Sequence, residues 1–142
     1  MLKTIVQTVD FKANPRTLFA LYADRKKHTE ATGAEASVSA IVGSRFAAYD
    51  GSLTGTVLGV VRDRVFCQTW RSDDWTVDQA DSVLTFYFEA RGKGGRVTMV
   101  HANIPEEHYA GIRSGWTEYY WTPWKKYLAG KKKMSKTKRT SR

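Results

Sequence analysis

The side chains in this sequence that could do acid–base, nucleophilic or metal chemistry are three histidines, one cysteine and an adjacent acid pair: His28, His101, His108, Cys67, Asp73 and Asp74. A nucleophile needs a base beside it, and a metal site needs several ligands at suitable spacing. These residues form no such constellation, and the acid pair brings no further ligands with it. We therefore predict no catalytic residue, no metal site and no cofactor, and we favour a binding protein over an enzyme.

His101 is the candidate that strand alternation places in the most useful position. In a strand predicted over 96–103 it shares a face with Val97 and Met99, and we assign this face to the interior. There the imidazole could orient a polar group of a ligand or act as a base, although a structural histidine bonded to a neighbour is the commoner case. Cys67 falls on the opposite face of its own strand, which favours a packed thiol.

The elements that must position these residues begin with a strand over 2–11, where alternate side chains fall on opposite faces. Asn14 followed by Pro15 has the residue types of a helix cap and first turn, and it predicts a short helix to about Ala23. The polar stretch 24–33 predicts an exposed second short helix or turn. Two short helices are therefore expected after the first strand.

Residues 37–103 carry repeated strand signals separated by turn residues, which predict an antiparallel meander. The predicted strands are 44–49, 53–60, 64–71, 82–91 and 96–103. Behind them, Pro105 and two following acids favour a helix start, and apolar residues recur at steps of three and four as far as Leu128. Pro123 predicts a kink in this long helix, and Gly130 predicts its end.

This order of elements predicts an α+β helix grip, in which a curved antiparallel sheet of about six to seven strands wraps around a long C-terminal helix. Alternation and helical spacing select the side chains that face the space between sheet and helix. These candidate ligand-binding residues are Phe66, Gln68, Trp70, Phe86, Phe88, Met99, His101, Ile112, Trp116, Tyr120 and Trp124. Gln68 could orient a ligand, whereas aromatic residues at such spacing are more often simply core. Gly111 and Gly115, one helical turn apart, indicate either close packing or space for a ligand.

Positive charge is concentrated at the C-terminus. The formal net charge is +9, but seven of the 23 basic residues lie within 131–142, which contains no acid. The remaining 16 basic and 14 acidic residues leave the preceding part near neutral. Because 130–142 holds only one large apolar residue, Met134, we predict that it is a disordered tail. The tail could serve nuclear import, non-specific polyanion or membrane contact, or solubility.

No apolar run approaches the roughly 20 residues that a membrane-spanning helix needs. We therefore expect no transmembrane segment and a cytoplasmic protein, with a nuclear location as an alternative that the basic tail allows.

Several segments resemble one known family: Phe11–Pro15, Phe46–Gly51 followed by Gly55, Gln68–Arg71 with Trp75, Gly115–Trp116, and Tyr120–Leu128. In this order and at these separations they resemble the activator of heat-shock-protein-90 ATPase homologue family, within the START-like (SRPBCC) superfamily. The resemblance is to a carboxy-terminal-type domain and covers residues 1 to about 129. It predicts one helix-grip domain over 1–129, followed by the tail at 130–142.

The resemblance implies a cavity that the superfamily uses for lipids, sterols, polyketides and other apolar ligands, and it leaves three functions open. The first is non-catalytic binding of a small hydrophobic ligand between the sheet and the C-terminal helix. The second is a co-chaperone-like module that acts on heat-shock protein 90 through a protein surface. The third is a cyclase- or hydrolase-like enzyme that uses His101.

Overall fold

The computed structural model describes the backbone of residues 1–140 and the side chains of residues 1–131. Its framework is one antiparallel sheet of six strands: β1 (Leu2–Phe11), β2 (Arg45–Ala48), β3 (Leu53–Val61), β4 (Val65–Ser72), β5 (Ser82–Arg91) and β6 (Gly94–Pro105). The strand order is β1-β6-β5-β4-β3-β2, so the strands after β1 form a meander whose last strand pairs with the first. The predicted fold class is confirmed.

Two short helices follow β1, and a long helical segment follows β6: α1 (Pro15–Ala23), α2 (Arg25–Thr32), α3 (Glu106–Trp116), a π-helical turn (Thr117–Trp121) and α4 (Thr122–Thr140). The side chain of Asn14 caps α1 by accepting from the Thr17 amide at 2.8 Å, and Asp24 caps α2 in the same way. Among the described helices, none combines the length and apolarity needed to cross a bilayer.

The inner face of the sheet carries the side chains that alternation assigned to it. Residues from three neighbouring strands are buried there: Phe66, Gln68 and Trp70 on β4, Leu84, Phe86 and Phe88 on β5, and Val97, Met99 and His101 on β6. Register places Phe66 beside Phe86 and Phe86 beside Met99, so large apolar side chains form continuous rows across the sheet. Trp116, Tyr120 and Trp124 of the helical segment are buried with them.

The long helical segment changes its hydrogen-bond pattern directly before Pro123. We expected a kink there, because proline cannot donate to the carbonyl four residues earlier, which is that of Tyr119. The structure has a π-helical turn over Thr117–Trp121, an arrangement in which one extra residue is accommodated. The hydroxyl of Tyr49, far away in the chain, donates to the Tyr119 carbonyl. A side chain therefore supplies the donor that Pro123 lacks.

The structure corrects two expectations, one about the exposure of α2 and one about the length of the last helix. We expected the segment around α2 to be exposed, but His28 in this helix is fully buried, since its ring finds hydrogen-bond partners inside the protein. We expected the last helix to end near Gly130, whereas the backbone of α4 continues to Thr140. The side chains of 132–142 lie outside the described residues, so the basic disordered tail stays a prediction.

Candidate ligand-binding cleft

A cleft of about 490 Å³ opens between α3 with its π-helical turn and the end of the sheet formed by β2, β3 and β4. Its walls combine five aromatic rings with small, aliphatic and acidic residues. The lining residues are Tyr49, Ser52, Leu53, Trp70, Ser72, Asp73, Asp74, Gly111, Ile112, Gly115, Trp116, Tyr119 and Tyr120. The cleft thus lies where the space between the sheet and the long helical segment opens at the β2–β4 end of the sheet, which we call the mouth of the helix grip.

The turn between β2 and β3 forms one wall of the cleft. Tyr49 and Asp50 adopt positive φ angles of 49° and 59°, which non-glycine residues seldom do. The Asp50 carboxylate accepts from the amide of Glu35 at 3.0 Å and holds this conformation. The amide of Asp73 donates to the carbonyl of Ser52 at 2.8 Å, which ties the loop after β4 to the same turn.

Tyr49 connects this wall to the helical wall. Its ring meets that of Tyr119 edge-on, with centroids 5.4 Å apart, and its hydroxyl donates to the Tyr119 carbonyl. Burial, with smaller effects from Tyr119 and Glu118, raises the pKa of Tyr49 to about 12. The phenol therefore stays protonated and remains a donor at neutral pH.

The two glycines of α3 leave space in the cleft wall. A Cβ at Gly111 would meet no atom within 4 Å, and one at Gly115 would make ordinary contact with the Tyr119 ring at 3.6 Å. Neither glycine is required for a close helix–sheet approach. Of the two alternatives that the sequence left open, the structure favours space over close packing.

His101 lies in the core behind the cleft with both ring nitrogens occupied. The indole N–H of Trp116 donates to Nδ1 of His101 at 3.1 Å, and Nε2 lies 2.8 Å from the hydroxyl of Ser82. Because an indole nitrogen can only donate, the neutral ring carries its proton on Nε2 and donates to Ser82. The Ser82 hydroxyl in turn donates to the carbonyl of Trp70 at 2.7 Å.

This arrangement is opposite to the one that a general base requires. A base would accept the serine proton on a free ring nitrogen, but His101 donates to Ser82 and has no lone pair left to use. Burial lowers the pKa of His101 to about 3. The structure therefore gives the enzyme hypothesis no available base at this residue, and His101 is a bonded structural histidine.

His28 is a second buried histidine whose ring bonds are satisfied. Its Nδ1 lies 2.8 Å from the carbonyl of Tyr22, so Nδ1 carries the proton, and Nε2 accepts from the hydroxyl of Tyr120 at 3.0 Å. Burial lowers the pKa of His28 to about 4. Gln68 is also occupied, because it accepts from the Tyr22 hydroxyl and donates to the carbonyl of Thr69 at 2.9 Å. Gln68 therefore bonds within the core.

Four of the eleven candidate ligand-binding residues line the cleft: Trp70, Ile112, Trp116 and Tyr120. The other seven lie in the packed core: Phe66, Gln68, Phe86, Phe88, Met99, His101 and Trp124. Cys67 is half-buried on the other face of β4, where its sulfur accepts a long hydrogen bond of 3.4 Å from Thr85. The structure thus brings together one end of the predicted site.

Sequence reasoning missed most of the mouth of the cleft. Tyr49, Ser52, Leu53 and Ser72 carry no periodic signal that assigns them to it. Tyr119 fits the helical period only as an alternative to Tyr120, which was chosen for the site. The acid pair Asp73–Asp74 and the two α3 glycines had been singled out, but as separate features. Within the part of the chain that the structure describes, no three His, Cys, Asp or Glu side chains are grouped as a metal site.

A six-stranded antiparallel sheet wrapped around a long C-terminal helix, with a cleft between them, defines a START-like helix-grip protein. Within this class, the chain belongs to the family described as Activator of Hsp90 ATPase homolog 1-like protein, whose family model matches residues 12–129.

Curated relatives include the Activator of 90 kDa heat shock protein ATPase homolog of Dictyostelium discoideum, which is 25% identical over 115 residues. This match covers 80% of the present chain and 30% of the relative. The corresponding homolog 1 of Mus musculus is 24% identical over 110 residues, covering 78% of this chain and 32% of the relative. The chain therefore spans about a third of the length of these relatives.

Solved structures share the fold at lower identity. An HSP90 activator from Plasmodium falciparum superposes with a TM-score of 0.80 at 21% identity, covering 89% of this chain and 96% of that chain. The Aha1 dimer from Colwellia psychrerythraea gives a TM-score of 0.72 at 15% identity, with 84% and 92% covered. These likenesses establish the architecture.

Proposed function

We propose that this protein binds a small hydrophobic ligand in the cleft and does not transform it. The observation that carries the proposal is the cleft itself, whose volume of about 490 Å³ falls within the usual range of small-molecule sites. Most of its side chains are aromatic or aliphatic, with a few polar groups among them. This is the composition by which protein sites combine apolar affinity with orientation.

The position of the cleft decides which part of the helix grip would hold the ligand. The interior beneath it is filled by Phe66, Phe86, Met99 and Trp124, all with at most 1% of their surface exposed. The ligand would therefore lie at the mouth of the grip, against Trp70 and Tyr49 from the sheet side and Trp116 and Tyr119 from the helical segment. We locate the site there instead of deep between sheet and helix.

Burial of apolar surface would drive binding. A ligand that hides about 150 Å² of apolar area gains roughly 4 kcal/mol at 25 cal/mol per Å². Part of that gain is offset by the loss of translational and rotational freedom, so a molecule of this size alone would bind weakly. A physiological ligand would need either a larger apolar body or additional polar contacts.

Native mass spectrometry of the protein purified from its own source tests this proposal. We expect a bound organic mass that denaturation releases. Gly111→Leu adds a side chain at the cleft wall and should abolish the bound mass. Gly130→Leu is the matched control, because it makes the same change on α4, away from the cleft, where an added Cβ also meets nothing within 4 Å.

Two outcomes would count against the site. One is a bound mass that Gly111→Leu retains at the wild-type level. The other is a bare wild-type protein whose tryptophan fluorescence also fails to respond to small apolar compounds. Because Trp70 and Trp116 line the cleft, occupancy should change their emission.

A second candidate function is a chaperone-associated module, favoured by the family match over 12–129 and by relatives named as activators of the heat-shock-protein-90 ATPase. Such a module would act through its surface and would not need the cleft. The test is the ATPase rate of heat-shock protein 90 from the same organism, with and without this protein. Stimulation that Gly111→Leu leaves unchanged would support the surface mechanism, and no stimulation at saturating protein would rule it out.

A further inference from the structure

The charge of the cleft differs in sign from that of the whole protein. The chain has a formal net charge of +9, yet Asp73 and Asp74 are the charged members of the cleft lining, which includes no Lys, Arg or His among the described residues. None of the ion pairs between described residues involves either carboxylate. Two exposed carboxylates without an ion-pair partner among the described residues therefore line a largely aromatic cleft.

Arg71, the base nearest to these acids in sequence, is engaged elsewhere. Its guanidinium donates to the Asp81 carboxylate at 2.7 Å and to the carbonyl of Thr76 at 2.6 Å. It also lies 5.8 Å from the centre of the Trp75 ring. These contacts occupy the guanidinium of Arg71. Arg71 is therefore not the ion-pair partner of Asp73 or Asp74.

The aromatic walls suit the same kind of partner. Trp and Tyr rings attract cations through the negative potential of their faces, and Trp70, Trp116, Tyr49 and Tyr119 all border the cleft. An inorganic cation fits less well, because calcium and magnesium require about six or more oxygen ligands. An apolar body that carries a positively charged group would use both the rings and the carboxylates.

From these observations we infer that the cleft selects organic cations: an apolar, amine-bearing molecule whose ammonium group lies against Asp73 and Asp74. The inference rests on the proposed function and narrows it to one ligand class. Anionic amphiphiles such as fatty acids would meet the carboxylates unfavourably. Neutral ligands would gain from the apolar walls alone.

The test compares three compounds that share one apolar skeleton and differ in charge: phenylbutylamine, phenylbutanol and phenylbutyrate. Each is titrated into the protein while tryptophan fluorescence is followed. We expect the amine to bind about tenfold more tightly than the alcohol, as an exposed charge pair and a cation–π contact together would produce, and the acid to bind most weakly. Added salt should weaken binding of the amine alone.

Substitution of both acids separates charge from shape. In the double variant Asp73→Asn and Asp74→Asn, the amine should lose its tenfold advantage while binding of the alcohol stays the same. If the alcohol or the acid binds wild type as tightly as the amine, or the double variant still prefers the amine, the charge inference is refuted and the proposed cleft stands. If none of the three binds, the charge inference is refuted. If, in addition, the native mass spectrum releases no ligand, or if Gly111→Leu binds all three compounds as wild type does, the proposed function itself is refuted.

Discussion

Acidification tests whether His28 and His101 are held neutral in the core, as their hydrogen bonds indicate. In the folded protein, burial lowers the pKa of His28 to about 4 and that of His101 to about 3, from an ordinary value of 6.5. Once unfolded, both rings regain the ordinary pKa and take up protons below about pH 6.5. The unfolded state then binds more protons than the folded state, so lowering the pH favours unfolding.

The size of this effect follows from the two pKa shifts. From about one pH unit above 6.5 upwards, both histidines are neutral in both states, and the stability that they contribute is complete. At about pH 5, protonation of each ring stabilises the unfolded state by roughly 2 kcal/mol relative to the folded state, which lowers the free energy of unfolding by about 4 kcal/mol in all. The loss continues until the pH reaches the folded-state values of about 4 and about 3. For a domain with an ordinary stability of roughly 5 to 15 kcal/mol, this is a large fraction.

Urea unfolding at a series of pH values between about 7.5 and 5 measures the free energy of unfolding directly. We expect the slope against pH to approach two protons taken up on unfolding, about 2.7 kcal/mol per pH unit. Nitrogen NMR should show opposite neutral tautomers, with the proton on Nδ1 of His28 and on Nε2 of His101. A loss below about 1 kcal/mol over this range, or buried rings that titrate near 6.5 in the folded protein, would refute the reasoning.

Three further substitutions test individual contacts in the fold. Gly111→Ala should raise the free energy of unfolding by about 1 kcal/mol in urea titrations, because alanine favours the helix and its Cβ meets no neighbour. A loss of stability would show that the glycine is needed for packing. Gly55→Ala should destabilise the protein by more than about 3 kcal/mol, or prevent folding, since its Cβ would lie 1.9 Å from the carbonyl oxygen of Thr69. Near-normal thermal unfolding would contradict this close approach of the two strands. Tyr49→Phe should cost about 1 kcal/mol because the Tyr119 carbonyl loses its donor, and unchanged stability would mean that another group satisfies this carbonyl.

The interior positions were predictable because they depend on a period of two. On β4, β5 and β6, side chains point alternately to opposite faces, so the buried Phe66, Phe86 and Met99 could be assigned from the sequence alone. The cap at Asn14 was equally local, since its side chain bonds to an amide only three residues away. What those interior side chains do was not predictable, because Gln68 and His101 could either face a ligand or bond within the core.

The partners of the polar side chains were decided by contacts distant in sequence. His28 stands in a charged, polar stretch that predicts exposure, yet it is buried because the hydroxyl of Tyr120, 92 positions away, and the carbonyl of Tyr22 satisfy its ring. The loss of a donor at Pro123 could be predicted, whereas its replacement by Tyr49, 70 positions before Tyr119, could not. Local periodicity does not specify which distant group will meet a given donor or acceptor.

By itself, the sequence determined the element types, their order and the faces that must be buried, since these follow from side-chain periodicity and local backbone preferences. Tertiary structure alone decided that the open space lies at the mouth of the grip, where Tyr49, Asp73 and Gly111 come together from separate elements. A cleft is the volume that packed elements leave unfilled. Its position depends on how side chains of different sizes interdigitate across the sheet and helix, and no single element's sequence carries that information.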